Sequence, residues 1–408
     1  MNDKRFMTAK EAAEALAISI PTLYAYVSRG LVRSEPGTGK SRARRYHGED
    51  VNALLARKEQ RRNPAKVAET ALHFGQPVLE SAITLIENGR LYYRGHDVIS
   101  LPTQHSFEAV ASLIWQSEFG NDDLFTTPLP DPLWQQIQRI APFLRDLSPV
   151  EAFQVVLPLV AAYDLAAYDL RKTAVIQTGV RLIKLLTTVI TGQQTTANIA
   201  QTLQQAWVPH DEQAAALINM ALIYCADHEL NVSAFTARTV ASAEATPYSA
   251  VIAGLAALRG RLHGGATEQV DAFFNEVRQP KNARQAVANR LKRGERIPGF
   301  GHPLYPDGDP RGRALLDAVT AVYPKSEAVE MVVEVETAVA GTIGYQPNID
   351  TALTTLVRAA QLPPGAPLTL FALGRTVGWI GQTLEQYRNN QLIRPRAKYV
   401  GDRPISSS

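Results

Sequence analysis

The stretch RIPGFGHPLYPDGDPRGR, residues 296–313, places four glycines, four prolines and a single histidine directly ahead of a helix-like run. Gly299 and Gly301 bracket the approach to His302. Glycine lets a backbone come close to a ligand, because it carries no Cβ. Asp309 followed by Pro310 reads as an N-cap and a first helical position. That spacing puts Arg311 in the first turn, beside a helix end that favours anions. The expectation is a loop bent so that His302 and Arg311 reach a small anionic molecule.

Two further breaks each carry one proton-handling residue. In LRGRLHGGATEQVDAFFNEV, residues 258–277, three glycines flank His263 just before a helix with Val270, Phe273, Phe274 and Val277 on one side. The positive end of that helix disfavours an imidazolium, so His263 is expected to stay neutral and to offer one hydrogen bond to a developing enolate oxygen. In GYQPNIDTALTTLVRAAQL, residues 344–362, Asp350 opens a helix after Pro347 and Asn348. The helix end is expected to keep its carboxylate ionised, which suits a base.

Nearly everything from residue 105 onward reads as helix. SFEAVASLIWQSEFG has Phe107, Val110, Ala111 and Ile114 at helical spacing. DEQAAALINMALIYCADHELN and YSAVIAGLAALRG are apolar on more than one face, as helices buried among helices are. The best strand-like run is VLESAITLIENGRLYYRG near residue 80. The body is therefore expected to be all-α with a small sheet at its start.

The chain has 408 residues, is 45% hydrophobic and 20% charged, and holds one cysteine, Cys225. A disulfide within the chain is excluded, and a cysteine-based metal cage is not expected. The N-terminus lacks an apolar signal core, which points to the cytoplasm. The longest apolar stretches are interrupted before the roughly 18 residues that a membrane span needs, so no membrane is expected.

These segments resemble the citrate synthase family. The resemblance is carried by LYYRGHDV (91–98), ADHELNVSAFTAR (226–238), LHGGATE (262–268), GFGHPLYPDGDPR (299–311), PNIDTAL (347–353), FALGRTVGWI (371–380) and IRPR (393–396). It covers roughly residues 70–402. It implies a helical homodimer whose large domain (65–266 and 372–408) and small domain (267–371) close over the substrates. It also implies a Claisen condensation of acetyl-CoA with oxaloacetate to give citrate and CoA. The thioester is a substrate, and no cofactor or metal is implied.

By position, the resemblance makes Asp350 the base, His263 the stabiliser of the enol and His302 the acid at the ketone. His228, Arg311 and Arg375 would hold oxaloacetate, and Arg394 would reach in from the neighbouring subunit. Paired arginines suit a dicarboxylate because they stay charged and bind it bidentately. This chain departs from the family pattern at Pro303, where a basic residue is common, and at Cys225, where a histidine is common. It departs again in the TAL that follows Asp350. These positions bear on substrate choice. A 2-methylcitrate synthase using propionyl-CoA is one alternative; a non-catalytic, metabolite-sensing DNA-binding regulator is another.

The regulator reading comes from the N-terminus. Residues 1–64 hold thirteen basic and seven acidic side chains, whereas the rest holds 29 and 32. A basic module on a near-neutral body suggests an anionic partner. TAKEAAEAL opens with Thr8 and has Glu11 three residues on, a capping-box pattern, with Ala12, Ala13, Leu16 and Ile18 as the buried stripe. SIPTLYAYVSRGLV starts a second helix, and VRSEPGTGKSRARRYHGED reads as a turn-rich wing. EDVNALLARKEQRR gives a third helix, and a charged linker follows it. The run resembles MerR-type and excisionase-type winged helix-turn-helix domains. That resemblance implies DNA as a partner. Tyr24, Tyr26, Ser28 and Arg29 would lie on or beside the recognition helix, and Arg42, Arg44 and Arg45 would face phosphates.

Overall fold

In the computed structural model the chain divides into two units, Met1–Glu80 and Ser81–Ser408. The structure describes residues 6–29, 31–36, 44–48, 50–51, 54, 79–120, 122–194, 198–397 and 399–402.

The first unit begins with strand β1 (Phe6–Met7), helix α1 (Ala9–Leu16) and helix α2 (Ile20–Ser28). Thr8 and Glu11 form the expected capping box: the Thr8 amide donates to Glu11 Oε2 at 2.8 Å, and the Glu11 amide donates back to Thr8 Oγ1 at 3.3 Å. Ser19 caps α2, with Pro21 in the first turn. Strands β2 (Ser34–Pro36) and β3 (Arg44–His47) make the antiparallel wing, and β1 pairs with the other edge of β3. Met7, Leu16, Leu23, Val32, Tyr46 and Val51 close a small core. The wing tip, the linker and all but Asp50, Val51 and Leu54 of the expected third helix lie outside the described residues.

The second unit starts with an antiparallel meander, β4 (Thr84–Glu87), β5 (Arg90–Tyr93) and β6 (His96–Asp97), where the sequence predicts a sheet. Helices follow: α3 (Phe107–Gln116), α4 (Asp131–Ile140), α5 (Pro149–Ala161), α6 (Lys172–Thr191), α7 (Ile199–Trp207), α8 (Ala214–Cys225), α9 (Val232–Ala241) and α10 (Pro247–Leu258). After them come α11 (Ala266–Val277), α12 (Ala283–Lys292), α13 (Pro310–Val322), α14 (Glu327–Ile343), α15 (Ile349–Ala359) and α16 (Ala366–Asn389).

Helix α16 threads the core and packs on α3, α6, α8, α9 and α10. Two of its glycines set its distance from α8. A Cβ on Gly374 would lie 2.6 Å from the Leu222 carbonyl oxygen, and one on Gly378 would lie 2.3 Å from that of Ala226. Any larger residue would push the helices apart, and with them the side chains described below.

One helix bears on the membrane expectation. By length and composition, α6 could cross a membrane. Yet 67% of its apolar window is buried inside the protein. Its two internal cations are also paired there. Arg181 Nε donates to Asp164 at 2.8 Å, and Lys184 Nζ donates to the carbonyls of Phe125 and Thr127 at 2.7 and 2.5 Å. Burial among other helices accounts for its apolar composition.

Candidate active site

The three interrupted segments meet. His302 lies in the loop before α13, Asp350 in the first turn of α15, and His263 in the turn before α11. Facing them are His228, just after α8, and Arg375, mid-way along α16. The His228 and His302 rings stand 5.4 Å apart, edge to face. The His263 ring stands 6.0 Å from Phe371, and the Arg375 guanidinium lies 4.8 Å over the same Phe371 ring.

Burial controls the protonation of this cluster. It pushes His263 down to about 4, with Arg375 as the second cause. It pushes His302 down to about 4, with Arg311 second. It drives His228 well below the ordinary histidine range, helped by Arg311 and Arg375. All three imidazoles are neutral near pH 7. For His263 the direction is the one expected, and desolvation is its main cause.

Asp350 corrects the sequence expectation. Burial raises its carboxyl to about 7, against the pull of Arg311 and Arg375. Its Oδ1 is buried and has no hydrogen-bond partner among the described residues. Desolvation outweighs the helix end that was expected to keep it ionised. A carboxyl poised near 7 is matched to proton abstraction at neutral pH.

The arginines are held in different ways. Arg311 is nearly fully buried and is gripped by the N-cap Asp309, Nε at 3.0 Å and Nη2 at 2.8 Å. Arg375 Nε donates to the Cys225 carbonyl at 2.7 Å. Its Nη1 is buried without a partner among the described residues, so that edge of the guanidinium can take an anion. Arg394 is exposed on the irregular tail after α16 and makes none of these contacts.

Gly299 and Gly301 both have φ of +80°, as their place in a sharply bent loop requires. The close neighbours are protein, however, not open space for a ligand. A Cβ on Gly299 would meet Thr351 Oγ1 at 2.1 Å, and one on Gly301 would meet the Tyr345 ring at 3.2 Å.

Sequence reading missed several members of the cluster. Ser233 Oγ lies 2.7 Å from His263 Nε2 and donates its one proton to Asn231 Oδ1 at 2.9 Å. Asn231 is the N-cap of α9, and its Oδ1 also accepts the Ala234 amide. In this arrangement His263 Nε2 carries the proton and donates to Ser233. Tyr305, three residues past His302, contacts His228. The only available signal was the N-x-S spacing of an N-cap before a helix of small residues, and an aromatic residue inside a proline-rich loop.

A family model described as "Citrate synthase, C-terminal domain" matches residues 71–396. The chain belongs to the citrate synthase family. It is 30% identical over 352 residues to Citrate synthase 2 of Bacillus subtilis, covering 79% of this chain and 93% of that protein. It is 27% identical over 339 residues to a 2-methylcitrate synthase of Mycobacterium tuberculosis, covering 77% and 86%. Its fold matches the citrate synthase of Thermoplasma acidophilum, solved in a ternary complex with carboxymethyl coenzyme A and oxaloacetate. That match has a TM-score of 0.69 at 23% identity, over 81% of this chain and 96% of the other. The chain is thus a citrate synthase-type acyltransferase with an all-α body.

A second model, described as "Helix-turn-helix domain", matches residues 6–59 of this citrate synthase-family chain. In that unit Tyr24 is 54% exposed on α2, and Arg29 is exposed at its end. Arg44 is exposed on the wing and donates to the Ser34 carbonyl at 3.1 Å. Arg45 instead pairs with Glu35 across the wing at 3.2 Å and lies 4.9 Å over the Phe6 ring. Arg42 lies outside the described residues.

Proposed function

We propose that the body condenses acetyl-CoA with oxaloacetate to give citrate and CoA. The observation that carries this reading is the buried, unpartnered Oδ1 of Asp350, held near neutrality among three neutral histidines and two arginines. Asp350 takes a proton from the thioester methyl, and the electron pair moves onto the thioester oxygen. His263 stabilises that oxygen as an enol. The enol carbon attacks the ketone of oxaloacetate, and His302 protonates the new alkoxide. Water then cleaves the citryl thioester and releases CoA.

The tautomer of His302 supports its role. His302 Nδ1 accepts the Leu304 amide at 3.1 Å, so its proton sits on Nε2 and is available to a ketone oxygen. His263 can donate through Nδ1 once Ser233 turns its hydroxyl from Asn231 to Nε2. His228, Arg311 and the free edge of Arg375 hold the dicarboxylate, and Arg394 serves the neighbouring subunit of a homodimer. The small domain spans 267–371.

Propionyl-CoA is the competing substrate, favoured by the similarity to a 2-methylcitrate synthase. One methylene changes binding by only about 1–3 kcal/mol. The deciding experiment is thiol release with oxaloacetate and each thioester side by side. Faster turnover of propionyl-CoA would overturn the citrate reading, and no thiol release from either would overturn the enzyme reading. The winged helix-turn-helix unit is assigned to duplex DNA, on the exposed Tyr24, Arg29 and Arg44.

A further inference from the structure

His228 and Tyr305 are 77 residues apart in sequence, and their side chains meet at 2.9 Å, Nε2 to the phenol oxygen. Both are buried, Tyr305 at 1% exposure and His228 at 7%. Tyr305 is fixed within the His302 loop. Its amide donates to the His302 carbonyl at 3.1 Å, and its own carbonyl accepts the Gly308 amide at 3.0 Å. Its ring stands 4.9 Å from that of His302, and the Arg311 guanidinium lies 5.8 Å over it.

We infer that Tyr305 is a positioning residue for the oxo-acid: its phenol donates to His228 Nε2 and holds the imidazole in the Nδ1–H tautomer, which offers a hydrogen bond to the substrate. The inference rests on the oxo-acid reading proposed above. Three physical points fix the direction of the bond. A phenol is a good donor, and an imidazole lone pair is a good acceptor. With Arg311 and Arg375 nearby, His228 is neutral and has one proton to place. If Nε2–H donated instead, the phenol proton would have no other acceptor among the hydrogen bonds of the described residues. Such an orphaned buried donor is costly. That tautomer would also turn a bare Nδ1 lone pair toward an anionic substrate.

The bond crosses between two parts of the fold. His228 follows α8, whereas Tyr305 travels with His302 and Arg311 on the segment that leads into α13. The same phenol that sets the tautomer therefore ties the loop carrying the ketone acid to the ring that binds the oxo-acid.

The test uses the full-length protein labelled with ¹⁵N in its histidines. A long-range ¹H–¹⁵N correlation spectrum, with His228 assigned through His228→Gln, reports the wild-type tautomer directly. The expected result is a protonated Nδ1 and a bare Nε2. The reverse pattern overturns the inference, whether or not any variant folds. For Tyr305→Phe, the expected result is an oxaloacetate KM raised about tenfold, with kcat and the thioester KM held within about twofold. An unchanged oxaloacetate KM, or equal rises for both substrates, overturns it. If the wild-type protein releases no thiol at all, the proposed reaction fails, while the tautomer spectrum still decides the Tyr305–His228 bond.

Discussion

Asp309 holds Arg311 by both sides of its fork, and its Oδ2 also accepts the Ile349 amide at 3.2 Å. One carboxylate therefore starts α13, orients the anion-binding arginine and anchors the first turn of α15, where Asp350 sits. Asp309→Asn should leave a buried guanidinium uncompensated. The expected loss is about 3–5 kcal/mol of stability, as for breaking a buried pair from one side. Chemical denaturation of wild-type and variant proteins measures it, and a loss below about 1 kcal/mol would show that Arg311 finds other partners.

Asp350→Asn keeps the shape and removes the base. Turnover should fall by about 10²–10⁴-fold, with oxaloacetate binding by calorimetry nearly unchanged. A variant that keeps the wild-type rate removes Asp350 from the mechanism.

The pH dependence has a definite sign. Burial lifts Asp350 from the ordinary carboxyl range to about 7. Between those values the unfolded chain has lost this proton and the folded chain still holds it. This group's contribution to stability therefore falls as pH rises, and levels off above about 7. The folded histidines act in the opposite sense. His263 and His302 are lowered to about 4, so the stability they contribute is present above the ordinary histidine range and is lost as pH falls toward 4. In the free protein, kcat/KM should rise with pH through about 7 as Asp350 deprotonates. Asp350→Asn should raise the denaturation midpoint at pH 8 and leave it unchanged at pH 4. A gain of equal size at both pH values would remove ionisation of Asp350 as its cause.

Ser233→Ala removes the hydroxyl that lies 2.7 Å from His263 Nε2. Without it, no hydroxyl can turn to donate to Nε2 and so move the His263 proton to Nδ1, the switch proposed above. The expected outcome is a kcat lowered by about tenfold or more, with the oxaloacetate KM unchanged. Ser233→Thr, which restores a hydroxyl, should recover most of the rate. Equal rates in wild-type and alanine proteins would separate Ser233 from the chemistry.

The charged N-terminal unit allows a salt test. The full-length chain should bind duplex DNA with an affinity that falls steeply as salt rises, because phosphate contacts release counterions. Replacing Arg29 and Arg44 with alanine should flatten the slope by up to about two units. Arg45→Ala should change it less, since Arg45 is already engaged by Glu35 and Phe6. A gel-shift salt series reads all three. Equal binding by a chain lacking residues 1–64 would place the contact elsewhere.

The sequence by itself determined what adjacent residues determine. Thr8 with Glu11, Ser19 with Pro21, Asp309 with Pro310, and Asn348 ahead of Asp350 all start helices where they were expected to. Capping is a local bond between near neighbours in the chain, and glycine and proline bias the backbone locally as well. The helical spacing of apolar residues likewise revealed an all-α body.

Tertiary structure alone decided the chemistry of the groups so placed. Asp350 sits at a helix start, yet its proton affinity is set by burial beneath segments distant in sequence. Arg375 keeps one free edge because Gly374 and Gly378 bring α16 close to α8, where the Cys225 carbonyl takes only Nε. Arg45 turns to Glu35 because strand register sets them opposite each other. Tyr305 meets His228 across 77 residues, and no local pattern encodes that contact. Desolvation and through-space charge are properties of the packed neighbourhood, so they appear only once the chain has folded.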